Sequence, residues 1–233
     1  MRSYVHVGGQ MRPALAWCDA QQGVFALTQP QGQGRQAQLL EWQVQRGSLN
    51  QQPPSAVTLQ DTDAGAGQVY QPFAVTAGLR RGQPGVVRSS NVENVQDPAY
   101  RMTRISAFSL GTAEHRCRYV AQAAFLGVTA KRTVIVWENG GKATYATRTF
   151  DGTPGVFVQG GVSPANVRLN SPQGFTGLYT WTVAGGITYH LDLRRNELAV
   201  RQRGRTVLRE SFLAYSVSTR VPMNVTPTTK ETP

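Results

Sequence analysis

The sequence predicts an all-β, antiparallel protein: a β-sandwich-like first half, then an antiparallel meander, barrel- or sandwich-like, in the second. Three observations point there. Val, Thr, Tyr and Trp cluster in short runs. Gly, Asn, Asp and Pro interrupt those runs about every 8–12 residues, the spacing of all-β domains. Within runs, apolar and polar residues alternate, as Leu40, Trp42 and Val44 do with Glu41, Gln43 and Gln45.

The runs place strands near residues 4–7, 24–28, 39–44, 57–60, 68–75, 86–89 and 101–110 in the first half. A helix over 35–46 competes, since Gln, Ala, Leu and Glu suit helices. Gln- and Pro-rich loops separate the strands at 29–36, 50–55 and 79–85. In the second half the runs fall near 118–126, 132–138, 143–150, 156–159, 176–182, 188–193, 198–202 and 206–214. The turns ENGGK, AGG and RGR join consecutive strands, so neighbours must be antiparallel. Val134, Ile135, Val136 and Trp137 form an unbroken apolar run, as in a strand buried on both faces. The expected organisation is a first domain over 4–112, a second over 113–220 able to fold alone, and a flexible tail over 221–233.

Charge bounds the function. The chain of 233 residues carries a net charge of +11, and only 16% of its residues are charged. Lys131, Lys142 and Lys230 are its only lysines, so arginine supplies nearly all the positive charge. Residues 1–112 hold nine basic and six acidic side chains, and residues 113–233 hold fifteen and seven. The second half therefore carries the field, which favours polyanions. Its densest stretch contains Arg194, Arg195, Arg201, Arg203, Arg205 and Arg209, with Glu197 as the one acid between 194 and 209. Strand alternation puts Leu198 and Val200 inward and Ala199, Arg201 and Arg203 outward. Two readings are open: a solvated sheet face whose arginines discourage edge pairing, or an anion-binding site. The solvated face is favoured, because a phosphate reader normally adds exposed aromatics for stacking.

Other motifs carry less. Tyr179 and Trp181 share a strand face and, with Phe175 and Tyr189, read as core before they read as a stacking platform. EHRCR at 114–118 sets Arg116 and Arg118 beside Cys117, which would favour a thiolate. His115 on the same strand face lies too far for a catalytic pair. GQGRQA at 32–37 has a dinucleotide-fingerprint outline without the βαβ context. Loop carboxylates such as Asp61/Asp63 and Glu93/Asp97 read as solvated, and Asn224 begins a glycosylation sequon. No catalytic residue, metal site or cofactor is expected. Cys18 and Cys117 form one disulfide or remain two buried thiols.

No apolar run is long enough for a membrane-spanning helix. The expectation is an exported, non-enzymatic β-protein of a bacterial cell envelope, its leader absent from this chain. It would bind a protein or an envelope polyanion, glycan or lipid headgroup, or contribute structurally. The alternatives are a nucleic-acid-binding β-protein using the basic second half, and a cytoplasmic location. The antiparallel meander with glycine-rich turns resembles many exported β-domains, including small barrel inhibitors of cell-wall enzymes. An inhibitor of a basic target would want an acidic surface, and this chain is basic.

Overall fold

The computed structural model describes residues 1–65, 67–90, 103–139, 142–162 and 178–218. These form an almost entirely β, antiparallel structure. In chain order the strands are β1 (Arg2–Val7), β2 (Gln10–Asp19), β3 (Gly23–Thr28), β4 (Gln36–Gln45), β5 (Ser48–Gln51), β6 (Ser55–Leu59), β7 (Asp63–Gly65), β8 (Gln68–Ala77), β9 (Pro84–Ser90) and β10 (Ile105–Leu110). They continue with β11 (Ala113–Arg116), β12 (Phe125–Thr129), β13 (Arg132–Asn139), β14 (Lys142–Thr149), β15 (Phe157–Gly161), β16 (Leu178–Val183), β17 (Ile187–Asp192), β18 (Glu197–Gln202) and β19 (Arg205–Val217). The competing helix over 35–46 is strand β4. Phe175, Glu93, Asp97, the Asn224 sequon and the tail over 221–233 lie outside the described residues.

The ladders fold into two lobes. In the first, β2, β3, β4, β6, β8, β9, β10 and β11 pair in that order. One face of these strands supplies Phe25, Leu27, Leu39, Val57, Phe73 and Phe108 to a buried cluster. In the second, β12 to β15 and β16 to β19 pair consecutively, and β19 returns to β12. Among the described residues, the Val162–Thr180 bridge alone joins β15 and β16, and the sheet is not closed into a barrel. Its inward positions contribute Phe125, Val136, Tyr145, Tyr179, Trp181 and Phe212. The core reading of Tyr179 and Trp181 therefore holds. Glycine admits the Trp181 ring: a Cβ on Gly161 would lie 2.0 Å from its Nε1.

A third cluster lies between the lobes. Trp17, Val24, Leu40 and Trp42 from β2 to β4 pack with Val128 of β12 and Ala214 of β19. Strands β2, β3 and β4 thus have an apolar residue on both faces, one toward each cluster. In β2, Ala16 and Cys18 face the first-lobe core and Trp17 faces the wall; a bulge between Ala14 and Ala16 puts Ala14 on the wall side as well. The backbone repeats this sharing. Val217 to Ala214 of β19 pair on one edge with β1, which pairs with β2, and on the other with β12.

Several expectations change. Strand β2 is not expected from the sequence, because Pro13 and the helix-favouring Ala-Leu-Ala mask it; β5, β7 and β11 are too short to show periodicity. Residues 118–124 are a loop, and the strand begins at Phe125. Val134 and Val136 are fully buried while Ile135 and Trp137 are half-buried, so β13 is buried on one face and not on both. The position 112/113 falls inside the β10–β11 hairpin, where Leu110 pairs with Ala113, and the chain passes to the second lobe only after Cys117.

Candidate functional site

Two sets of arginines stand out. The first meets acids that are buried or nearly so. Asp19, 3% exposed at the end of β2, accepts from Arg118 Nη1 at 3.1 Å, from Thr133 Oγ1 at 2.8 Å and from Arg148 Nη2. Glu41, 5% exposed, takes both its oxygens to Arg80 Nε at 2.9 Å. Glu210 accepts from Arg132 Nη2 at 2.8 Å and from Thr129 Oγ1 at 2.6 Å. A buried carboxylate must be paired in this way, or its desolvation is uncompensated. Asp19 also joins the lobes, since β2 supplies the acid and β13 and β14 supply Thr133 and Arg148. No sequence signal marks these pairs; their partners lie 39 to 129 residues apart.

The second group is the hairpin, where Arg203 and Gly204 form the two-residue turn between Gln202 and Arg205. Both have positive φ, 48° and 80°, as a type I′ turn requires. Of the six expected anion-site arginines, three have acid partners. Arg194 and Arg195 reach Asp192 at 3.3 and 3.9 Å, and Arg209 reaches Glu197 at 3.0 Å. Arg201, Arg203 and Arg205 are exposed and make no salt bridge to a described residue. The register also separates them. Arg201 lies opposite Thr188 on the outer face, Arg205 lies opposite Gln202, and Arg203 sits in the turn. His190, opposite Ala199 on the same outer face, has its pKa lowered by burial and then by the Arg201 charge.

Cys18 and Cys117 are joined in a disulfide across a sequence separation of 99. Beside it, Ala20 bridges Cys117, which ties β2 to the end of β11. The EHRCR cysteine is therefore not a free thiol, and His115 stacks on Phe25 with ring centroids 4.2 Å apart. A shallow crevice lies between the lobes, lined by Trp17, Asp19, Ile105, Arg118, Tyr119 and Leu126 among others. Among the described residues no cluster of His, Cys, Asp and Glu could hold a metal, and no helix is long and apolar enough to cross a membrane. Arg35 of the GQGRQA stretch pairs with Asp61 at 2.7 Å on the surface.

Comparison with protein-family models, with curated proteins and with solved structures finds no match for this chain.

Proposed function

We propose that this is a non-enzymatic, exported component of a bacterial cell envelope that binds another macromolecule or contributes structurally. The observation that carries the reading is the Cys18–Cys117 disulfide, because such bonds persist in oxidising compartments and are rare in the cytosol. The filled interiors of both lobes support it: aromatic and aliphatic side chains occupy the space a carrier would give its ligand, which leaves recognition to the surface. The test is cell fractionation of the native host with thiol trapping before and after reduction. The expected result is envelope protein whose two cysteines react only after reduction. Cytosolic protein with two freely alkylated thiols would overturn the reading.

A second reading, nucleic-acid binding through the basic second half, is favoured by Arg201, Arg203 and Arg205, which are exposed and make no salt bridge to a described residue. It predicts affinity for duplex DNA that falls with salt at a log–log slope of about −0.9 per phosphate contacted. Binding that disappears below physiological salt would remove it.

A further inference from the structure

Strand β19 changes partners along its length. Arg205–Ser211 pairs with β18 on one edge, and the ladder with β12 on the other edge begins only at Phe212. On the β12 side, Arg205 to Glu210 therefore have no strand partner among the described residues. Alternation identifies the groups left free. Phe212 N–H donates to Asn196 O at 3.3 Å, so Glu210 and Leu208 turn toward β18 and Arg209 turns its backbone outward. Val207, the extra residue of a bulge between the Val200–Leu208 and Arg201–Thr206 pairs, is 59% exposed.

We propose that this edge receives an extended acidic segment of a partner protein, added as a further strand beside β19. The inference rests on the binding role proposed above and names its site and partner class. Open backbone groups supply the main-chain hydrogen bonds of strand addition, and alternate side chains supply selectivity. Arg205 on the edge strand itself and Arg203 in the adjoining turn, both exposed and without a salt bridge to a described residue, select carboxylates, while Arg201 lies one strand away on β18. Val207 offers an apolar contact in the middle of the edge. A second copy of the chain does not fit. Antiparallel pairing centred on Val207 would set each Arg205 against an Arg209, and like charges directly opposite destabilise a strand pair. Nucleic acid fits less well, because the aromatic residues of this sheet, Tyr179, Trp181 and Tyr189, face the core.

The test uses the full chain and a capped synthetic peptide of about eight residues, enough to span the edge, with glutamate alternating with threonine. Its controls are the same peptide N-methylated at alternate residues, a lysine-for-glutamate version, and a short DNA duplex. Affinity is measured together with amide exchange by residue. The expected result is binding of the acidic peptide with new protection between Arg205 and Glu210. Binding should fall about tenfold or more on N-methylation and about tenfold in the Arg203→Gln/Arg205→Gln variant, since each step removes charge-assisted or main-chain hydrogen bonds. Equal binding of the N-methylated peptide, protection elsewhere, tighter binding of DNA to the same residues, or no binding overturns the proposal. A negative result with oxidised, envelope-located protein removes the edge alone; peptide binding by a cytosolic, reduced protein removes the envelope reading alone.

Discussion

At the junction of the lobes, two arginines converge on one buried carboxylate. On the outer hairpin, three arginines within five residues make no salt bridge to a described residue. The residue type is the same and the surroundings decide its role. Arg118 and Arg148 compensate the desolvation of Asp19 and so are part of what holds β2 against β13 and β14. Arg201, Arg203 and Arg205 are exposed and compensate no acid among the described residues. A high arginine content is thus partly a structural requirement here and partly surplus, and within the hairpin the surplus lies beside an unpaired strand edge.

The comparison can be broken most severely by cutting the chain. The sequence alone suggests that residues 114–220 fold by themselves. The wall between the lobes predicts otherwise: without β1 to β4, Val128 and Ala214 lose their packing and β19 loses a strand. The isolated fragment should unfold without a cooperative transition in urea. A sharp transition would show that the wall is dispensable.

Next in size is the disulfide. Replacing Cys18 and Cys117 by serine opens a loop with a sequence separation of 99. On the chain-entropy account the loss is about 4–5 kcal/mol, read as the shift of the urea midpoint. Asp19→Asn should cost about 3 kcal/mol, the low end for a broken buried pair because Arg118 and Arg148 keep some contact with water. A double-mutant cycle with Thr133→Val apportions the remainder.

Smaller still is a pH effect. Burial, then the nearby Arg80, lowers the pKa of His115 from its ordinary value of 6.5, while Glu41 opposes. A depressed histidine pKa means that the unfolded chain binds a proton first. This contribution to stability is complete above about pH 6.5 and is lost as pH falls toward the lower folded-state value. His190 is depressed in the same direction. Wild-type stability should therefore decline between pH 7 and 5, and His115→Phe should flatten part of that slope. An unchanged slope would place its cause elsewhere.

What the sequence made legible follows from where periodicity is visible. Strands with one wet face, such as β14 and β17, announce themselves by alternation. Strand β2 does not: it lies between two cores, its bulge breaks the alternation, and Pro13 argues locally against a strand. The arginine hairpin is legible as a cluster, yet not as three paired and three without a salt bridge to a described residue: Asp192 takes Arg194 and Arg195 within the turn that follows β17, and Glu197 meets Arg209 only through the β18–β19 pairing. The disulfide was one of two open readings, decided by the Ala20–Cys117 bridge that brings β2 and β11 together. The partners of Asp19 were invisible, since Thr133 and Arg148 reach it only across the wall.

The measurement that bears most directly on this division of arginines is a paired urea denaturation at neutral pH. One variant carries Arg118→Gln with Arg148→Gln, the other Arg201→Gln with Arg205→Gln, and each removes two positive charges. The junction variant leaves Asp19 buried with Thr133 as its remaining side-chain partner and should lose about 3 kcal/mol. The hairpin variant should stay within about 0.5 kcal/mol of wild type. Equal losses in the two variants, or a larger loss in the hairpin, would contradict the account.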